Sequence, residues 1–181
     1  MKPFPKLTTQ RLVLRGPMEK DMQPMFDIHT DPDVMRYYGV KPYDTMEKSK
    51  KHLDWLTKLH REEIGLRWII TLKDEDTCIG DVGFYDWEKK HSRAEIGYIL
   101  GKQYWGKGIM TEAIKAALDY GFNEMNLNRI QALIDPRNDA SKRVAEKHGF
   151  QYEGTFRDYE YEYGGFIDLN MYSVLKREYK A

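Results

Sequence analysis

The sequence predicts an α/β domain built as a mixed sheet flanked by helices. Two observations carry that reading. Strand-like and helix-like segments alternate from end to end, without repeats, low-complexity tracts or a linker. Near the middle, an apolar strand runs through a glycine-rich turn straight into an amphipathic helix. The 181 residues suit one domain over residues 1–181 and are enough to bury a full core.

The elements follow in order. Residues 11–15 alternate charged and aliphatic side chains like a short strand. Residues 21–29 and 31–38 read as short helices, the second opened by Asp31-Pro32. Asp44-Thr45 offers a cap to a helix running to about Glu63, with Leu53, Leu56 and Leu59 along one side. Residues 67–73 are a strand, Asp74-Glu75-Asp76 its turn, and residues 77–86 the returning strand, made less regular by Gly80 and Gly83. After a polar turn to His91, residues 94–100 form the next strand. In the helix beyond Gly108, Met110, Ile114, Leu118 and Phe122 recur every fourth residue and share one face. Residues 129–134 are a buried strand ended by Asp135-Pro136, and residues 138–148 a helix closed by Gly149. Two final strands, residues 150–161 and 166–176, turn at Gly164-Gly165.

Composition bounds the function. Lys plus Arg and Asp plus Glu each number 29, so no strongly basic face for nucleic acid is announced. A single cysteine, Cys78, excludes an intramolecular disulfide and a Cys-rich metal site; it reads as a small core residue. No apolar run approaches the roughly 20 residues of a membrane span, and the N-terminus lacks the apolar core of a signal peptide. These features point to a cytoplasmic protein with neither nucleic-acid nor membrane partners.

The chemistry concentrates at Gly106-Lys107-Gly108. A strand, a turn of bare backbone and a helix N-terminus place free N–H groups and a positive dipole end at one point, which suits a phosphate. A P-loop is absent, and a dinucleotide fingerprint lacks its third glycine at Thr111. The plainer alternative is a helix that merely starts with glycines and packs on a sheet.

Residues Gln103-Tyr104-Trp105-Gly106-Lys107-Gly108 resemble the pyrophosphate-binding signature Gln/Arg-x-x-Gly-x-Gly/Ala of the GCN5-related N-acetyltransferases, the GNAT family. With Glu95-Ile96-Gly97-Tyr98 upstream, the string looks like the branch that acetylates ribosomal-protein N-termini (RimJ/RimL-like). A second match, Asn138 to Phe150, resembles the family's Asn-x-x-Ser…Glu-Lys-x-Gly-Phe helix beside the pantetheine arm. A third, from Glu153-Gly154 through Arg157-Asp158 and Tyr161 to Gly164-Gly165, Asp168 and Tyr172-Ser173-Val174-Leu175, resembles that branch's usual end. The resemblance implies the GNAT fold, a largely antiparallel mixed sheet with flanking helices. It also implies acetyl-CoA as cofactor and direct transfer of acetyl to a primary amine, with a monomer or homodimer both possible.

Such transfer needs a proton acceptor for the amine, an N–H donor for the oxyanion and a proton for the departing thiolate. The resemblance places the oxyanion donor near Ile99 and Leu100, in a stretch with Tyr98 that pairs with the pantetheine like an added strand. It assigns the pyrophosphate to Gln103 through Thr111, including Trp105, Gly106, Lys107, Gly108, Ile109 and Met110. Lys107 reads equally as a solvated lysine, and Trp105 as a wedge between turn and core. Asn138 is both a helix cap and a pantetheine contact. Ser141 matches the branch's candidate acid for the thiolate. The tyrosine that many family members carry four residues later is here Ala145.

For the base, Glu160 ranks first: it lies in the alternating run Arg157 to Tyr163, where the branch places a glutamate facing the amine. Glu95 ranks second, as the acidic residue that the wider family keeps at the head of the central strand; an ordinary strand-end charge paired with Arg93 is the alternative. Met35-Arg36-Tyr37-Tyr38-Gly39 falls where the family builds its acceptor groove. The five histidines have no spacing that suggests metal ligation and read as exposed or locally bonded. The acceptor is either a protein N-terminus, such as that of a ribosomal protein, or a small amine such as a polyamine or aminoglycoside. A non-catalytic acyl-CoA sensor and a nucleotide-binding protein are the readings from other classes.

Overall fold

A computed structural model describes residues 3–180. Its strands are β1 (Leu7–Thr8), β2 (Leu12–Arg15), β3 (Leu66–Leu72), β4 (Glu75–Glu88), β5 (Arg93–Leu100), β6 (Arg129–Ile134), β7 (Gln151–Glu162) and β8 (Gly165–Leu175). They form one sheet in the order β1-β2-β3-β4-β5-β6-β8-β7. Every neighbouring pair is antiparallel except β5–β6, which is parallel. The helices are α1 (Met22–Thr30), α2 (Pro32–Met35), α3 (Met46–Arg61), α4 (Ile109–Asn123) and α5 (Asp139–Lys147).

The two sheet faces bury different helices, and the strand period decides which residue goes where. On one face α4 buries Ile109, Ala113, Ile114, Ala117, Leu118 and Phe122 against Leu12, Trp68, Val82, Phe84, Ile96 and Ile130. Each large side chain removed from water there contributes roughly 1.5–3 kcal/mol. The opposite face takes α1 and α3, through Met25, Ile28 and Leu56 on Ile69, Cys78 and Ile99. Burial drives the Cys78 thiol pKa far up, which suits an inert core residue.

Several local expectations are corrected. Arg11 lies outside the strand; its side chain and backbone reach Glu112 at 2.6 and 2.8 Å. The two-residue strand β1 is too short to show in the sequence pattern. Thr45 occupies the N-cap of α3 but its side chain makes no cap hydrogen bond, whereas Asp31 accepts from the Asp33 N–H at the head of α2. The β3–β4 turn falls one residue early, because Leu72 pairs with Glu75. β4 runs unbroken for 14 residues despite Gly80 and Gly83. The last hairpin pairs Glu162 with Gly165, so Tyr163 and Gly164 form its turn, both at positive φ. Finally, the alternation of residues 157–163 is interrupted. Phe156 pairs with Leu169 and Glu160 with Ile167, a bulge that places Asp158 at φ 49°.

Candidate active site

The site begins where β5 and β6 part. Their parallel pairing covers only Arg93, Ala94 and Glu95 against Arg129, Ile130 and Gln131. Beyond Glu95, β5 continues to Leu100 bonded only to β4, and β6 continues to Ile134 bonded only to β8. One side of residues 96–100 therefore has no strand partner, which leaves backbone polar groups for a ligand. The opening is a cleft of about 910 Å³. Its walls include Tyr98, Ile99 and Leu100 from β5, Ala132, Leu133 and Ile134 from β6, Asp135 just beyond it, and Asn138 and Ser141 at the head of α5.

At one end the cleft meets α4. Gly106 and Gly108 sit at φ 71° and 72°, a left-handed conformation that suits glycine, and Gly108 is the N-cap. No side chain caps the helix, so the first N–H groups stay directed outward along with the positive end of the dipole. Gly106, Gly108, Ile109, Met110 and Thr111 line the cleft. The turn is anchored from behind by Arg11, which donates to the Lys107 carbonyl at 2.9 Å and pairs with Glu112. Trp105 is half exposed and donates its indole N–H to the Leu100 carbonyl at 2.8 Å, tying the turn to the end of β5. Gln103 and Lys107 are exposed and lie outside the cleft lining; the Lys107 ammonium rests over the Tyr104 ring at 5.8 Å.

Across the opening, the Tyr98 hydroxyl lies 2.6 Å from Ser141 Oγ. Burial raises the Tyr98 pKa, so the phenol stays protonated. Asn138 Oδ1 accepts from the Ser141 N–H at 3.1 Å, which caps α5 and fixes the serine. Ala145 is buried in the core, and its side chain has no group to donate.

The two carboxylates sit apart from this wall. Glu95 is 7% exposed; the Tyr85 hydroxyl donates to it at 2.5 Å and the Gln131 amide at 3.4 Å. Burial raises its pKa, and the charges of Asp86 and Glu160 push the same way. Its pairing with Arg93 does not occur, since Arg93 bonds to Glu88 at 2.6 Å. Glu160 is exposed on β7, beside Glu162, whose carboxyl pKa is raised by burial and by the Glu160 charge. Neither Glu95 nor Glu160 lines the main cleft, but Tyr85, which holds Glu95, does.

Sequence reasoning missed a polar group at the other end of the cleft. Arg67 and Asp81 are 3% and 1% exposed and form an ion pair inside the sheet. Arg67 lines the cleft with Trp55, Tyr85 and Tyr38. Its guanidinium carbon sits 5.4 Å from the Trp55 ring and 5.9 Å from that of Tyr85. Gly97 makes the room: a Cβ there would lie 2.8 Å from Arg67 Nη1 and 2.9 Å from Tyr85 Cε1. The available signal was two opposite charges inside otherwise apolar strands. His29 and His52, read as exposed or locally bonded, are buried on the same face.

A mixed sheet thus opens between two parallel strands in front of a glycine-led helix. Residues 11–151 match the Acetyltransferase (GNAT) domain. Over 173 residues the chain is 39% identical to the uncharacterized N-acetyltransferase p20 of Bacillus licheniformis, covering 96% of this chain and 97% of that one. It is 38% identical to the uncharacterized N-acetyltransferase YoaA of Bacillus subtilis, covering 96% and 98%. A crystal structure of a GNAT-family acetyltransferase from Bacillus anthracis matches with a TM-score of 0.85 at 29% identity, covering 96% and 100%. More distant matches include the spermidine N(1)-acetyltransferase of Escherichia coli, 26% identical over 91% of this chain and 87% of that one. RimL, a ribosomal L7/L12 α-N-protein acetyltransferase solved with coenzyme A, shares the fold at 22% identity, with a TM-score of 0.83 and coverage of 94% and 98%. The chain belongs to the GNAT acetyltransferase family, and its activity is acetyl transfer.

Proposed function

We propose that this protein transfers acetyl directly from acetyl-CoA to a primary amine, the acceptor being a protein N-terminus of the ribosomal-protein kind. The observation that carries the reading is the opening of β5 from β6 in front of the uncapped N-terminus of α4. N–H groups at Gly108 to Thr111 supply fixed positive ends for a pyrophosphate. The strand edge at residues 96–100 accepts an extended arm and aims an N–H near Ile99 or Leu100 at the developing oxyanion. With both substrates held in one cleft, orientation supplies a large rate factor and no covalent enzyme intermediate is needed.

Ser141 delivers the proton to the departing thiolate, and Tyr98, 2.6 Å away, orients that hydroxyl, whose proton is restored from solvent through the open cleft. Glu160 takes the amine proton, with Glu95 as the second candidate, raised in pKa by burial and so closer to the working pH. The acidic edge formed by Glu160 and Glu162 suits a cationic acceptor. That edge favours a small polyamine equally, and relatives of both acceptor types exist. The test is free-thiol release from acetyl-CoA against ribosomal-protein N-terminal peptides, polyamines and aminoglycosides. Turnover with the peptides alone supports the first acceptor class; turnover with polyamines alone replaces it by the second.

A further inference from the structure

Beneath the acceptor end of the cleft, three donor groups from three elements converge. His29 comes from α1, His52 from α3 and Asp81 from β4, and all three are buried. One ligand-type atom from each lies within 4.8 Å of the other two. The outward atom of each group is already held. His29 Nδ1 lies 2.7 Å from the Met25 carbonyl oxygen and must donate to it, so its Nε2 carries a lone pair. His52 Nδ1 lies 2.9 Å from the Tyr43 hydroxyl, and the Arg67 guanidinium takes Asp81 Oδ1. The inward atoms are different. His29 Nε2 and His52 Nε2 are buried with no hydrogen-bond partner, and Asp81 Oδ2 lies 3.6 Å from His52 Nε2, beyond hydrogen-bond range.

Two buried imidazole nitrogens without a hydrogen-bond partner, one of them at ion-pair distance from a carboxylate oxygen, can share a single bound ion. Their outward anchors are those of metal ligands, whose second atoms bond to carbonyl, hydroxyl or charged partners that fix ring orientation. We propose that His29, His52 and Asp81 form a binding site for Zn²⁺ or a similar late divalent transition-metal ion. Two imidazoles and one carboxylate suit such ions and not Mg²⁺ or Ca²⁺, which favour all-oxygen sets. Metal–ligand bonds of about 2.0–2.2 Å in a tetrahedral set place ligand atoms roughly 3.3–3.6 Å apart, so a pair now up to 4.8 Å apart closes by roughly an ångström or slightly more, through small rotations of the two rings. Arg67 beside Asp81 opposes a further positive charge and draws density from the carboxylate, which weakens the site relative to one with a free carboxylate. A bound ion ties α1 and α3 to β4 and so braces the wall that carries Trp55 and Arg67.

The test uses tag-free full-length protein, stripped with chelator and dialysed against Co²⁺ alone. The site predicts one Co²⁺ per chain at 100 µM, with visible ligand-field absorption that Zn²⁺ abolishes. His29→Phe keeps the ring stacked on Tyr43, 4.6 Å away in the native protein, and His52→Phe keeps the edge contact with Trp55. Each is predicted to lower Co²⁺ affinity at least 30-fold while circular dichroism shows a folded chain. His60→Ala and His91→Ala leave it unchanged. Absence of Co²⁺ binding, or equal binding by the two Phe variants, overturns the proposal.

Discussion

Gly106→Leu separates folding from ligand binding. Gly106 sits at φ 71°, where an L-residue pays roughly 1–2 kcal/mol. A Cβ at this position meets nothing within 4 Å, so no packing penalty adds to that strain. For a chain of this length the loss corresponds to a fall in Tm of about 2–8 °C, a folded protein under assay conditions. The side chain would instead project at the mouth of the α4 N-terminus, where a pyrophosphate must approach bare backbone. Losing two charge-assisted N–H contacts at about 1.5–3 kcal/mol each removes roughly 3–6 kcal/mol, a 10²- to 10⁴-fold weakening of acetyl-CoA binding. Isothermal titration of acetyl-CoA, with thermal unfolding run alongside, reads both quantities. Wild-type affinity in Gly106→Leu would refute the assignment of this turn to the pyrophosphate.

Three other predictions follow from the same geometry. Ser141→Ala lowers kcat for thiol release by about 10²-fold and leaves the KM for acetyl-CoA within a few-fold, whereas an unchanged kcat removes Ser141 as the acid. If Glu95 is the base, kcat/KM rises with pH along a limb set above the ordinary glutamate range, because burial raises its pKa and only the ionised form accepts a proton. Glu160→Gln then moves that limb to lower pH by removing a nearby negative charge, and Glu95→Gln abolishes it; a limb that vanishes in Glu160→Gln instead assigns the base to Glu160. Glu153 is held down to about 2 by its bonds to Arg129 and Ser173. Its depressed pKa stabilises the fold above the ordinary glutamate value and loses that contribution as pH falls toward 2. The stability gap between wild type and Glu153→Gln, measured by urea titration, therefore narrows across that window; a constant gap would count against it.

Periodic segments were legible in the sequence because burial imposes the period. The strand at residues 129–134 and the helix carrying Ile114, Leu118 and Phe122 lie where the apolar spacing puts them. The turn Gly106-Lys107-Gly108 was legible as a turn because two glycines before an amphipathic helix can take the left-handed backbone that both adopt at the head of α4. What escaped depends on contacts remote in sequence. Arg11 to Glu112 spans 101 residues and Tyr98 to Ser141 spans 43, and no local pattern reports such pairs. The bulge between Phe156 and Glu160 is invisible because the alternating run 157–163 fits a regular strand equally well. His29 and His52 lie 23 positions apart, and only the packing of α1 on α3 brings their rings to 4.8 Å.

Acetyl transfer in the cleft between β5 and β6 requires acetyl-CoA and an amine to be held there together. The most direct measurement is free-thiol release from acetyl-CoA with and without a panel of N-terminal peptides and small amines, with mass detection of the acceptor. The expected result is thiol release that requires an acceptor and matches one acetyl group, 42 Da by the chemistry of replacing one N–H hydrogen with C₂H₃O, gained per thiol freed. Firm acetyl-CoA binding with no acceptor-dependent release across the panel would contradict it and leave an acyl-CoA sensor in its place.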